Sequence, residues 1–159
     1  MKVIIVSDTH GDHTTLRMAL EREAPYDMLL HLGDVEGYAD YIEDMAGCPT
    51  YIVAGNNDYF SDLPRERILK IGKSNIFMTH GHKYDVHFTL WDLRQAAIKK
   101  KCNVAMYGHT HVPRIEYGDI VVINPGSLSR PRQADRRATY IVMYVDDEGN
   151  AEFELKYVD

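Results

Sequence analysis

The sequence predicts an α/β fold, and two observations carry that prediction. Short apolar, β-branched runs alternate with segments whose apolar residues recur at helical spacing, the pattern of strand–helix–strand units. Five of the predicted strands also run directly into a polar turn bearing aspartate, asparagine or histidine. Parallel strands send their carboxyl ends to one edge of a sheet, where α/β proteins bind ligands.

Taken in order, Val3-Ile4-Ile5-Val6 reads as a fully buried strand that breaks into Ser7-Asp8-Thr9-His10-Gly11-Asp12. From Asp12 to Glu23, Leu16, Ala19 and Leu20 space a helix that Asp12 or Thr14 can cap and Pro25 closes. Met28 to Leu32 is a second strand, ending in Gly33-Asp34. Gly37 to Met45 is a weaker helix, with Tyr38, Tyr41, Ile42 and Met45 on one side. Tyr51 to Ala54 is a third strand, ending in Gly55-Asn56-Asn57-Asp58. Right-handed crossovers make these strands parallel.

After Pro64 the pattern changes. Arg67–Ile71 and Asn75–Thr79 flank Gly72-Lys73-Ser74 as a hairpin, and the second arm ends in His80-Gly81-His82. Leu90, Leu93, Ala97 and Ile98 space a helix from Thr89 to Lys100, with Trp91 also available for packing. Val104 to Tyr107 is a strand ending in Gly108-His109-Thr110-His111. Ile120–Ile123, Thr139–Val145 and Ala151–Tyr157 are further strands, the last two joined by Asp146–Asn150. The second half is therefore expected to be more antiparallel than the first. With no linker, repeat or low-complexity tract, residues 1–159 are expected to form one domain.

The bulk numbers narrow the function. The 159 residues are 45% apolar and 26% charged, as in an ordinary globular protein. A net charge of −6 offers no general attraction to nucleic acid. A phosphate-bearing substrate must therefore be held by local positive charge or by metal. Cys48 and Cys102 stand far apart and outside any CxxC spacing, which favours a reducing compartment over a disulfide framework. The apolar run after Lys2 is too short for a signal peptide or a membrane span, so a cytoplasmic protein with no membrane contact is expected.

The strand ends hold the chemistry: Asp8 and His10, Asp34, Asn56, His80, and His109 and His111. Each alone reads as an ordinary turn. Gathered at one sheet edge, buried carboxylates need a partner or a metal. The set exceeds what one tetrahedral zinc requires and contains no thiolate. It suits two divalent ions such as Mn²⁺, with Ni²⁺, Fe²⁺, Zn²⁺ and Co²⁺ also compatible. Two ions about 3.5–4 Å apart form a clamp for hydrolysing phosphate esters. Asp34 is the natural bridge between them.

In order and spacing, Asp8-x-His10, Gly33-Asp34, Gly55-Asn56-x-Asp58, His80-Gly81-His82 and Gly108-His109-x-His111 resemble the calcineurin-like metallophosphoesterases. The short length and Asn124-Pro125-Gly126-Ser127 resemble the small YfcE-type phosphodiesterase subgroup in particular. The resemblance implies a four-layer α/β/β/α sandwich of two mixed sheets flanked by helices. It implies that Asp8, His10, Asp34 and His111 hold one metal and Asp34, Asn56, His80 and His109 the other. It implies a small-molecule phosphate ester as substrate, attacked by a metal-activated water.

This sequence departs from the family at one position. The residue after Asn56 is often a histidine that donates a proton to the leaving group; here it is Asn57, whose amide cannot act as a general acid near neutral pH. That favours diesters and acidic leaving groups over unactivated monoesters. Asp58 is expected to orient its neighbours. His82 is a candidate substrate contact or a partner of the ligands. His13 and His87 are expected to be solvated or to lie at helix ends, and His31 to be a hydrogen-bonded core residue. Arg130, Arg132, Arg136 and Arg137 form the one dense basic segment, either a solvated loop or a reach toward the second phosphate substituent. Turn amides around Gly126 and Ser127 are a candidate anion site. A retromer subunit of the same fold works as a scaffold, and this chain could do likewise; its seven filled ligand positions favour the enzyme.

Overall fold

The computed structural model describes residues 1–159. The elements are β1 (Lys2–Val6), α1 (Thr14–Glu23), β2 (Met28–His31), α2 (Ala39–Ala46), β3 (Thr50–Ile52), β4 (Glu66–Ile71), β5 (Ser74–Thr79), a 3-10 turn (His82–Tyr84), α3 (Trp91–Lys99), β6 (Val104–Met106), β7 (Arg114–Glu116), β8 (Val121–Asn124), β9 (Thr139–Val145) and β10 (Ala151–Tyr157). They build two five-stranded mixed sheets, ordered β10-β9-β1-β2-β3 and β4-β5-β6-β8-β7. In the first, β1, β2 and β3 are parallel, and β9 and β10 complete one side antiparallel. In the second, β5, β6 and β8 are parallel between antiparallel edges. The second half is more antiparallel than the first, as expected, although β5, β6 and β8 carry parallel pairing into it.

Alternation along each strand divides the apolar residues among three clusters. Val3 and Ile5 face inward and meet Ile76, Met78, Met106 and Ile123 of the other sheet. Ile4 and Val6 face outward onto Leu16 and Leu20 of α1 and Ile42 of α2. Phe77, Ala105 and Val122 of the second sheet pack on Leu93 and Ala97 of α3. The layers are therefore helix, sheet, sheet, helix. Each fully buried Leu, Ile or Val contributes roughly 1.5–3 kcal/mol relative to exposure, which explains why both faces of β1 are apolar.

Three local expectations change. Strand β7 is only three residues, Arg-Ile-Glu, on a sheet edge; it is too short and polar to show a period. On α2 the buried residues are Ile42 and Ala46, whereas Tyr38 and Tyr41 turn out to meet the ring of His13. Trp91 begins α3 and is 64% exposed rather than packed.

The sheets bring their strand ends together through main-chain bonds. The Asp8 amide donates to Gly33 O and the His10 amide to Asp34 O, both at 3.0 Å; the Gly108 amide donates to His80 O at 3.0 Å. Across the two sheets, the His109 amide donates to Asp8 Oδ2 at 3.1 Å.

Candidate metal centre

Each strand end turns sharply to aim its side chain. Asp8, His10, Asp34, His109 and His111 all adopt positive φ, between 49° and 68°. Such backbone is uncommon for residues other than glycine, costs of order 1–3 kcal/mol, and gathers at functional sites. Glycines make room for the turns. A Cβ on Gly55 would lie 2.1 Å from Asp34 Oδ1, and one on Gly108 would lie 2.1 Å from Ser7 Oγ and 2.7 Å from Asp8 Oδ2.

One donor set is compact. Ligand atoms of Asp8, His10, Asp34 and His111 all lie within 4.8 Å of one another. His111 Nε2 is 3.1 Å from Asp8 Oδ1 and 3.2 Å from His10 Nε2. His10 Nε2 is 3.7 Å from both Asp8 Oδ1 and Asp34 Oδ2. The other expected set is assembled as two pairs. His80 Nε2 is 3.4 Å from Asp34 Oδ2, and His109 Nδ1 is 3.1 Å from Asn56 Oδ1. The rings of His80 and His109 stand 5.1 Å apart.

Supporting bonds leave the converging atoms free. The Nδ1–H of His80 donates to Leu32 O at 2.6 Å and that of His111 to Arg130 O at 2.7 Å. Each ring therefore presents its Nε2 lone pair inward. Asp8 Oδ2 accepts from Ser7 Oγ and the His109 amide, while Ser127 and Ser129 hydroxyls hold the Asp8 carbonyl at 2.8 and 3.0 Å. The Asp34 carboxylate accepts from the Asn57 amide and side chain, each at 3.0 Å. Asp58 accepts the main-chain N–H groups of Asp34, Val35, Glu36 and Gly55. Asp8 Oδ1 and His80 Nε2 are buried and have no hydrogen-bond partner. Buried polar atoms are nearly always satisfied, so this pair of atoms, aimed into a cluster of oxygen and nitrogen donors, fits a divalent cation.

The electrostatics agree. Burial alone would raise Asp8, but His10, His111 and His80 hold it well below the usual carboxylate range. Burial would likewise raise Asp34, and His80 and the Asn57 amide bring it down. Burial would lower His80, yet Asp34 and Asp8 raise it; a cation held between these groups would compete with that proton for Nε2. Burial, with His80 and His87 nearby, pushes His109 down to about 4. Near pH 7 the carboxylates are anionic and His109 is neutral, the protonation states that bind cations.

The remaining candidates separate. His82 is half-buried, its ring 5.5 Å from His80 and 6.1 Å from His109. His87 is exposed as expected, but its ring also stands 4.7 Å from His109; nothing in the local sequence signals that contact. His31 is a satisfied core residue: its Nδ1 accepts the Gly33 amide at 3.1 Å and its Nε2 meets Thr9 Oγ1 at 3.0 Å, and burial pushes it down to about 4. His13 sits at the start of α1 against Tyr38 and Tyr41. Arg130 and Arg132 flank the site through their main chains, on His111. Arg137 lies over Tyr157 and pairs with Asp159, and Arg136 is exposed. The expected anion site at the Asn-Pro-Gly-Ser turn is not formed. The Gly126 amide donates to Asn124 Oδ1 at 2.8 Å, and residues 124–128 are buried; the turn instead anchors the Asp8 loop.

Known proteins resemble this chain in sequence and in fold. The calcineurin-like phosphoesterase superfamily domain matches residues 1–148. The probable metallophosphoesterase YsnB of Bacillus subtilis is 32% identical over 150 residues, 93% of this chain and 86% of that protein. The phosphodiesterase YfcE of Escherichia coli K12 is 30% identical over 83% of this chain and 82% of that protein. A predicted phosphoesterase from Streptococcus pneumoniae, solved by crystallography, superposes with a TM-score of 0.79 at 28% identity, covering 98% of this chain and 97% of that one. The match in sequence and in fold, running through the strand ends that carry the candidate metal ligands, places this chain in the calcineurin-like phosphoesterase superfamily, a hydrolase of phosphate esters.

Proposed function

We propose that the chain is a dinuclear-metal-dependent phosphodiesterase acting on a small-molecule phosphate ester. The observation that supports this most is the buried, partnerless pair Asp8 Oδ1 and His80 Nε2 inside the donor cluster. Asp8, His10, Asp34 and His111 would hold one ion. Asp34, Asn56, His80 and His109 would hold the other, with Asp34 shared. Mn²⁺ suits this mixed oxygen and nitrogen set, as do Ni²⁺, Fe²⁺, Zn²⁺ and Co²⁺. When bound, such ions polarise phosphoryl oxygens and make a water acidic enough to attack near neutral pH.

The chain's own residues orient that chemistry. Asn57 and Asp58 fix the Asp34 carboxylate and its loop. Leu32 O and Arg130 O fix the tautomers of His80 and His111. In the reaction the water oxygen bonds to phosphorus, the bond to the leaving oxygen breaks, and that oxygen takes a proton from solvent. Asn57 cannot supply the proton, and its main-chain N–H and one side-chain N–H already serve Asp34. Turnover is therefore expected for diesters with acidic leaving groups and to be weak for unactivated monoesters. His82, beside His80 and His109, is a substrate contact in this scheme.

Hydrolysis of bis(p-nitrophenyl) phosphate with Mn²⁺ and after chelation tests the reading. Metal-dependent turnover that EDTA abolishes and Mn²⁺ restores is expected. Two bound ions with no turnover on any diester would leave a metal-holding scaffold instead. We also infer that residues 1–159 act as one domain, because the clusters on either side of each sheet share its strands; a single cooperative unfolding transition is the check. No helix is long and apolar enough to cross a membrane. We propose a cytoplasmic location, which free Cys48 and Cys102 support, and cell fractionation tests it.

A further inference from the structure

A groove adjoins the metal centre at Thr110, between His109 and His111, and at His87. It begins in a cavity of about 420 Å³ lined by His87, Thr110 and Pro113, and continues past Val86 and Arg114 into a second cavity of about 420 Å³ lined by Phe88, Trp91 and Arg94. The ring of His87, shared by both cavities, stands 4.7 Å from that of His109. Volumes of this size are those of small-ligand sites. At the far end Phe88 is 88% and Trp91 64% exposed, two large aromatics that pack on no core. In the same cavity, Glu116 binds two guanidinium groups: Arg114 Nε at 3.0 Å and Nη2 at 2.8 Å, and Arg94 Nη2. The lining thus carries two cations against one anion, in a chain of net charge −6.

We propose that this groove is the subsite for a nucleoside substituent of the phosphodiester. The inference rests on the phosphodiesterase reading above and names the substrate class of that site. A phosphoryl group at the metal centre directs its second substituent along the groove. The ribose would pass His87 and Thr110, and the base would lie against Trp91 or Phe88. Aromatic rings and guanidinium planes held by a carboxylate are the surfaces on which bases stack. An alkyl or methyl substituent would leave both aromatics in water.

Trp91 is the only tryptophan in the chain, so its fluorescence reports the groove without any turnover. Adenosine 5′-monophosphate, added to the Mn²⁺-loaded protein, is expected to quench it saturably. Methyl phosphate under the same conditions is expected not to. Arg114→Ala and Phe88→Ala, both at exposed positions, should each weaken the adenosine 5′-monophosphate midpoint about threefold to tenfold, since stacking on one side chain commonly changes affinity by about that much or more. In parallel, thymidine 5′-p-nitrophenyl phosphate and methyl p-nitrophenyl phosphate share a leaving group and differ only in the retained substituent. The nucleotidyl ester should have the higher kcat/KM, by about tenfold, and Trp91→Ala should bring that ratio toward one. Equal kcat/KM values, or no saturable quenching, would overturn the subsite while leaving the phosphodiesterase reading standing. Saturable quenching without hydrolysis of either ester would overturn the phosphodiesterase reading and keep the groove as a nucleotide site. Quenching that follows protein concentration alone would assign the groove to a second copy of the chain and overturn the proposal.

Discussion

Replacing Asp58 by asparagine should loosen the metal centre without touching any ligand atom. Asp58 is 4% exposed. Its Oδ2 accepts the amides of Asp34 at 2.7 Å, Gly55 at 2.8 Å and Val35 at 3.3 Å, and its Oδ1 accepts that of Glu36 at 2.8 Å. These bonds hold Asp34 at a φ of 61°, which an unsupported aspartate rarely keeps. In Asp58→Asn the amide oxygen can take the place of Oδ2, but the NH₂ group then faces the Glu36 N–H, donor against donor. A hydrogen bond to a charged group contributes about 1.5–3 kcal/mol, and one is lost outright. The other three weaken from charged to neutral acceptors. Partial access of the Glu36 amide to water offsets some of this, so a loss of about 2–4 kcal/mol is expected. For a chain of this size that is a fall in Tm of roughly 5–15 °C. Thermal unfolding gives the stability, and elemental analysis of the folded variant gives the metal content; both should drop. An unchanged Tm with full metal content would show that the Asp34 loop is held by something other than Asp58.

Other consequences follow from contacts outside and inside the site. Burial would raise Glu23, but Lys2, Tyr140 and Lys156 hold it at about 2 against an ordinary 4.5. A depressed carboxyl contributes stability that is full above its unfolded pKa and is lost as the pH falls through its folded pKa. Wild type should therefore lose roughly 2–3 kcal/mol between about pH 4.5 and pH 2 from this group, and urea titrations of Glu23→Gln should lack that portion of the slope. Gly55→Ala puts a Cβ 2.1 Å from Asp34 Oδ1, so the carboxylate must move; metal content and diesterase rate should fall together, and a variant with native values for both would refute the crowding argument. Asn57→His tests the missing proton donor, because a positioned general acid commonly contributes about 10²–10⁴-fold. Rates for a series of esters should depend steeply on leaving-group pKa in wild type and less so in the variant. The gain is limited, since the variant also loses the Asn57 side-chain bond to Asp34; a flat wild-type series would mean that another residue already donates the proton.

Much of the site was legible in the sequence because each ligand directly follows an apolar strand, and parallel strand ends converge. That logic singles out Asp8, His10, Asp34, Asn56, His80, His109 and His111 from local patterns alone, and the structure gathers ligand atoms of Asp8, His10, Asp34 and His111 within 4.8 Å. It could not find what binds across the fold. The contact of His87 with His109 joins a loop before α3 to the end of β6. The Asn-Pro-Gly-Ser turn acts through Ser127, which holds the Asp8 carbonyl from 119 residues away. Tyr38, Tyr41 and Trp91 sit at helical spacings that look buried, yet hydrophobic periodicity does not tell whether a neighbouring layer covers that turn. Trp91 lies at the first turn of α3 and stays exposed. β7 escaped notice because three residues on an edge carry no period. Asp58 was expected to orient its neighbours; that it does so by accepting four amides from two loops is a tertiary fact.

The central claim is that these strand ends hold two cations sharing Asp34. Calorimetric titration of chelator-stripped protein with Mn²⁺, checked by elemental analysis after desalting, counts them directly. The account predicts a stoichiometry near two per chain for wild type and loss of both ions in Asp34→Ala. A wild-type value near zero or one at saturating Mn²⁺, or an Asp34→Ala protein that keeps two, would contradict it.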